Sequence, residues 1–152
     1  MEQKPIDNMQ KYENYRIQMG RLSKAVKAEF FLEAVFIEYA ILEDRLESIL
    51  VHTGKFNPEK HNTMDKKLRR VQEISREKKS LAHKYFSDEL IQSIYDWKES
   101  RNTLIHALMK QKLNTDELKD LALTGMDITK KLNSKTTSFK RALEKINSER
   151  SK

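Results

Sequence analysis

Residues that form turns are scarce in this chain, and their scarcity limits the folds open to it. Three glycines and two prolines are spread over 152 residues, whereas 35% of the residues are charged. Sheet proteins need many tight turns, which depend heavily on glycine and proline, so this balance favours a few long helices. The length suits one domain with a real hydrophobic core. We therefore expect a single all-α domain over residues 1–152.

Apolar residues recur with helical spacing in four segments of the chain. The predicted helices cover residues 10–52, 64–85, 88–111 and 116–148. Gly20 is a position where the first helix could be interrupted, and Gly125 is a weak point in the last. This pattern predicts an antiparallel bundle of four main helices, ordered over residues 10–148 and followed by a short basic C-terminal tail.

The predicted helix ends carry residues that stop or cap helices. Gly54 and Pro58, in "HTGKFNP", end the first helix. Thr63 and Ser87 are placed to cap the second and third helices, and Thr115 is placed to open the fourth. These short polar side chains can accept hydrogen bonds from backbone N–H groups that the first turn leaves unpaired.

Composition excludes some classes of site and compartment. The chain has no cysteine, so disulfides and thiolate metal sites are excluded, and its four histidines show no close metal-ligand spacing. The most apolar run, "FFLEAVFIEYAILEDRLESIL", carries several charges, and the start "MEQKPIDNMQKYENY" has no apolar signal core. We expect a cytoplasmic, soluble protein that needs no metal or cofactor and does not bind membranes.

The net charge of +7 is unevenly distributed along the chain. Residues 29–50 hold six acids and one base, whereas residues 60–84 hold nine bases and three acids, and residues 110–152 hold eleven bases and six acids. This segregation favours a polyanionic partner such as RNA. Ordinary solvated helix faces would produce a similar pattern, so charge alone does not decide between the two.

Charged residues interrupt the apolar stripes of two predicted helices. At 100° per residue, Arg101 lies about 20° from the centre of the stripe on the third helix. On the first helix, Glu38 lies about 20° and Arg45 about 40° from the centre. A structural ion pair of Glu38 with Arg101 or Arg45 would explain them. Alternatively, Arg101 requires a phosphate or a wet cleft, because its guanidinium stays charged.

The segment "RNTLIH", from Arg101 to His106, resembles the Arg-x4-6-His signature of HEPN-domain ribonucleases, in which a polar residue such as Asn102 often follows the arginine. HEPN domains are helical bundles of about this length, with the signature late in the third main helix. The resemblance implies a metal-independent endoribonuclease with catalytic residues Arg101, Asn102 and His106, and we take Glu38 and Arg45 as supporting residues.

The chemistry of these side chains fits RNA cleavage by the substrate's own 2′-hydroxyl. Histidine transfers protons well near neutral pH, so His106 would serve as general base or acid. Arg101 would clamp the phosphate, and Asn102 would position it by hydrogen bonding. Arg101 and His106 differ by about 140° on a straight helix. Because HEPN proteins generally dimerise, the resemblance implies a homodimer with a composite active site.

Other interpretations remain open from the sequence. Arg76 and His83 satisfy a looser version of the same motif, although Glu77 follows the arginine there. HEPN ribonucleases are often toxins or antiviral defence effectors controlled by an antitoxin or regulatory protein, but Leu108 stands where some toxins carry tyrosine. The chain could instead be a non-catalytic HEPN-like dimer that serves as an interaction or regulatory module, or a basic RNA- or DNA-binding protein.

Overall fold

The computed structural model describes residues 7–110 and 114–151, and this part of the chain is all-helical, without strands. The prediction of an all-α protein is therefore confirmed. No helix in these two ranges is both long and apolar enough to cross a bilayer. The six helices are α1 (Asn8–Lys27), α2 (Phe31–His52), α3 (Met64–Arg76), α4 (Ala82–Tyr85), α5 (Asp88–Ala107) and α6 (Thr115–Arg150).

Side-chain caps begin the helices at nearly the positions the sequence indicates. Thr63 accepts a hydrogen bond from the Lys66 backbone N–H, and Ser87 accepts one from the Leu90 N–H, as predicted. The cap of α6 is Asn114, whose side chain accepts from two backbone N–H groups, and Thr115 is the first helical residue. Asparagine is at least as good a cap as threonine, so moving the cap from Thr115 to Asn114 changes the stability of the helix little.

The first predicted helix is divided between α1 and α2, but not at Gly20, which lies inside α1. Glu29 has a left-handed φ of 63°, the Glu29 N–H donates to the Val26 carbonyl and the Phe30 N–H donates to the Ala25 carbonyl. This is a Schellman motif, a helix end that usually carries glycine at the left-handed position. Glutamate gives no such signal, so the break was not predicted.

The second predicted helix is also divided. Helix α3 ends at Arg76, and the chain forms only the short α4 before α5 begins. The Ser80 hydroxyl donates to the Ile74 and Glu77 carbonyls and so satisfies acceptors at the end of α3. The third and fourth predicted helices correspond to α5 and α6, and α6 runs without interruption through Gly125.

The core forms around α2, which packs against α1, α3 and α6. Helix α5 packs against α6 and α3, so α6 contacts both α2 and α5. Glu38 lies where α2 meets α6, next to Gly125, whereas Arg101 of α5 lies over aromatic rings of α2. Fully buried side chains of the core include Leu22, Leu42, Leu46, Ile94, Leu132 and Phe139.

Candidate active site

The residues of the motif occupy the last two turns of α5. Ser87 fixes the start of this helix, and Ile91, Ile94 and Trp97 are buried as the apolar stripe predicts. The next position on that stripe is Arg101, which is half-buried. The core face of α5 therefore changes from apolar to cationic at this position.

The Arg101 guanidinium rests on aromatic rings of α2. Its carbon lies 3.9 Å from the centre of the Tyr39 ring and 5.8 Å from that of Phe36. A guanidinium over an aromatic face is stabilised by the negative potential of the ring. One guanidinium nitrogen, Nη1, donates to the Asn102 side-chain oxygen at 3.0 Å. Arg101 is thus held in place, and no carboxylate pairs with it in the described part of the chain.

The Nε atom of Arg101 is buried and has no hydrogen-bond partner among the described residues. Buried donors of this kind normally have partners, and leaving one unpaired is unfavourable. A phosphate oxygen is an acceptor that matches a guanidinium in charge and geometry. Arg101 as a whole is only half-buried and has no carboxylate partner among the described residues, which makes it a candidate anion-binding residue.

Sequence reasoning did not place Tyr39 and Phe36 in the site. They lie three residues apart on α2, so they share one face of that helix, and this spacing was the available signal. Phe36 is largely outside the core, since 51% of its surface is exposed. Burial raises the pKa of Tyr39, Glu43 raises it further, and Arg101 opposes the shift. The Tyr39 hydroxyl is therefore protonated near neutral pH and able to donate.

His106 is exposed in the last turn of α5, and Asn102 is half-buried beside Arg101. Because α5 is a regular helix from Asp88 to Ala107, the five-residue spacing directs Arg101 and His106 about 140° apart. Arg101 faces α2, whereas His106 faces solvent. Within one chain, the two predicted catalytic residues are close in sequence but point in different directions.

Glu38 is fully buried, and neither carboxyl oxygen has a hydrogen-bond partner in the described residues. Burial raises its pKa from 4.5 to about 9, so the side chain is a neutral acid at pH 7. The Glu38 carboxyl group fits beside α6 because residue 125 is glycine. A Cβ at Gly125 would collide with Oε1 of Glu38 and come within 2.7 Å of Nε1 of Trp97. Gly125 is therefore a position of close packing within a continuous helix.

The suggested ion pair of Glu38 with Arg101 or Arg45 does not form among the described residues. Arg45 is buried, pairs with Asp44 and lies over the Tyr15 ring at 5.9 Å. It also helps lower the pKa of Lys140 to about 8, an effect caused first by burial and then by the charges of Arg45 and Lys11. Arg45 thus belongs to a separate cationic cluster, and nothing places it beside the motif.

The alternative pair of Arg76 and His83 has structural partners. Arg76 forms an exposed ion pair with Asp88 at 3.4 Å, and the His83 Nδ1 atom hydrogen-bonds the Ser75 carbonyl at 2.8 Å. Both side chains therefore stabilise the connection between α3 and α5. Groups of three or more potential metal ligands do not occur within residues 7–110 and 114–151.

Comparisons of this chain with protein-family models, with curated proteins and with solved structures found no match.

Proposed function

We propose that this chain is a metal-independent endoribonuclease of the HEPN type, built on a HEPN-like bundle of four main helices and active as a homodimer. The observation that carries the proposal is the state of Arg101. Its guanidinium is fixed on an aromatic surface and has a buried donor without a partner in the described residues. Asn102 adjoins it, and His106 follows within the same helix.

The proposed reaction is a transesterification within the RNA. His106 removes the proton of a 2′-hydroxyl, and the 2′-oxygen attacks the adjacent phosphorus. The bond from phosphorus to the 5′-oxygen breaks, and a protonated group returns a proton to that leaving oxygen. The products are a 2′,3′-cyclic phosphate and a 5′-hydroxyl. Arg101 and Asn102 stabilise the charge that grows on the phosphate oxygens, which is where fixed donors have the largest effect.

Dimerisation resolves the 140° separation of Arg101 and His106. Around a two-fold axis, Arg101 of one copy can lie opposite His106 of the other, so that the two copies form one cleft. The apolar surface near the motif supports an interface there, since Phe36 is 51% and Met109 95% exposed. An arginine that rests on Phe36 would then lie at the edge of the dimer contact.

The biological role follows only from the resemblance. HEPN ribonucleases suggest a cytoplasmic toxin or antiviral defence effector, restrained by an antitoxin or regulatory protein. Leu108 replaces the tyrosine through which some of these toxins are controlled, so a different form of control would operate.

A cleavage assay tests the proposal. Purified protein is incubated with mixed RNA in EDTA, next to the variants Arg101→Ala and His106→Ala, and the ends of the products are analysed. We expect cleavage to cyclic phosphate ends by the parent and a loss of at least about 100-fold in both variants. His83→Ala, which alters the alternative motif, is the matched control and retains activity. Equal cleavage by His106→Ala and the parent would refute the assignment.

A second function is favoured by the contact between Arg101 and Tyr39. If this stacking is the purpose of Arg101, the chain is a non-catalytic helical dimer that acts as an interaction or regulatory module. Arg101→Ala would then lower stability with no cleavage to lose. Arg101→Lys distinguishes the two functions, because lysine retains the charge but loses the fork of donors that binds phosphate.

A further inference from the structure

Helices α5 and α6 enclose a groove that the proposed reaction does not use. Its volume is about 830 Å³, within the range of binding sites. It lies between residues 93–107 of α5 and residues 114–128 of α6, and Arg101 and His106 are not among its lining residues. Its apolar lining comes from both helices and includes Trp97, Leu104, Leu121 and Ile128.

Among the described residues, the charged side chains that line this groove are acidic. Asp96 and Glu99 lie on the α5 wall, and Glu117 and Asp120 lie on the α6 wall. In each pair the residues are three apart, so they share one face of their helix. Glu99 is partly neutralised by Lys98 at 3.0 Å. The other three carboxylates have no ion-pair partner in the described part of the chain.

An acidic groove is unexpected on a protein with a net charge of +7. Such a groove repels nucleic acid, so it is not an extension of the RNA site. It attracts cations, and its apolar lining requires an apolar surface in the same ligand. The occupant must therefore be amphipathic and basic.

The length of the groove indicates the form of the occupant. The lining residues span 14 steps along each helix, which corresponds to about 21 Å at 1.5 Å per residue. A helix of about four turns has this length and presents one apolar stripe. Lysine or arginine on both sides of that stripe would face the two acidic pairs.

We propose that the groove between α5 and α6 binds a basic amphipathic helix of a partner protein. The apolar stripe of that helix contacts half-buried Leu104, and the buried side chains of Trp97, Leu121 and Ile128 form the base of the groove beneath it. Its flanking basic residues pair with the acids of both walls. This mode of recognition, a helix laid into a groove, depends on anchors at helical spacing.

The probe for the test is a fluorescein-labelled peptide of about 14 residues, made of leucine and lysine in a helical amphipathic pattern. One comparison peptide has the same residues in scrambled order. The other has glutamate in place of lysine. Binding is followed by anisotropy and by the emission of Trp97, which lines the groove and is the only tryptophan of the chain. The peptides contain no tryptophan, and Trp97 is 3% exposed with Nε1 donating to the Leu121 carbonyl, so the emission reports a change in the surroundings of the groove base.

We expect the lysine peptide to bind and to change the Trp97 emission, and the comparison peptides to bind at least about tenfold more weakly. Neutralising the four wall acids should weaken binding about tenfold at low salt, because each exposed ion pair contributes slightly less than about twofold. A matched control neutralises four exposed acids outside the groove and leaves binding unchanged. The groove variant combines Asp96→Asn, Glu99→Gln, Glu117→Gln and Asp120→Asn. The control variant combines Glu13→Gln, Glu59→Gln, Glu77→Gln and Glu149→Gln.

Thr103→Arg with Thr124→Arg is a second test, because both threonines line the groove and are exposed. The added cations should abolish binding, and circular dichroism should show that the fold is retained. Equal binding of the lysine and glutamate peptides, or an equal loss in both neutralised variants, would overturn the proposal. So would binding without a change in Trp97 emission. Dissociation of a homodimer by Thr124→Arg would instead identify the occupant as a second copy of the chain.

Discussion

Replacing Glu38 by glutamine should remove most of the pH dependence of stability between pH 5 and 8. Glu38 is fully buried between α2 and α6, and neither of its oxygens has a partner among the described residues. Its pKa is raised from 4.5 to about 9 because burial penalises the charged form. Glutamine has nearly the same shape but does not titrate, so the substitution isolates the effect of the proton.

The sign follows from comparing proton binding in the two states. Between pH 4.5 and 9 the folded protein holds a proton on Glu38 that the unfolded chain has released. The contribution of Glu38 to stability is therefore largest below pH 4.5 and falls as the pH rises, until the folded pKa near 9 is passed. Each pH unit in this window corresponds to about 1.4 kcal/mol, so the expected loss from pH 5 to pH 8 is about 4 kcal/mol.

Urea unfolding at several pH values measures this loss directly. The free energy of unfolding of the parent should fall steeply from pH 5 to 8, and that of Glu38→Gln should fall much less, whatever its absolute value. Glu33→Gln alters an exposed acid on the same helix and should keep the parent's slope. Parallel slopes for Glu38→Gln and the parent would refute the reasoning, since Glu38 would then be ionised in the folded protein.

Three further substitutions test the packing and the helix ends. Gly125→Ala should destabilise the protein by about 2 kcal/mol, because the added Cβ collides with Glu38 and Trp97, whereas Gly20→Ala, in open space within α1, should stabilise it by about 0.5–1 kcal/mol. Glu29→Gly should stabilise it by up to about 1 kcal/mol, because glycine adopts the left-handed φ of 63° without strain. Thermal and urea unfolding measure these changes in stability. Gly125→Ala as stable as the parent, or Glu29→Gly less stable than the parent, would contradict the reasoning.

The extent to which the fold could be predicted is clearest from two similar helix ends. Helix α2 ends in the same hydrogen-bond pattern as α1, with Gly54 at the left-handed position. The sequence predicts the end of α2 from Gly54. It does not predict the end of α1, because glutamate, unlike glycine, does not signal the left-handed conformation that Glu29 adopts. Helix caps such as Thr63 and Ser87 are local, and they were predicted correctly.

The candidate site was predictable in its positions and not in its contacts. Helical periodicity placed Glu38 and Arg101 on the apolar faces of α2 and α5, and both are at least half-buried. Periodicity cannot specify which side chain meets which across a helix interface. It therefore left the pairing of Glu38 open, and it missed Phe36 and Tyr39 as the surface beneath Arg101.

Glu38 and Arg101 show two different solutions to the burial of a charged residue. A carboxyl group can take up a proton, and Glu38 does so at the cost of stability at higher pH. A guanidinium cannot lose its proton, so Arg101 instead lies on aromatic rings and remains charged. Had the two formed an ion pair, the charge of Arg101 would be compensated within the fold and of little use for binding an anion. Because no carboxylate among the described residues pairs with Arg101, its positive charge is left for the phosphate of the proposed RNA site.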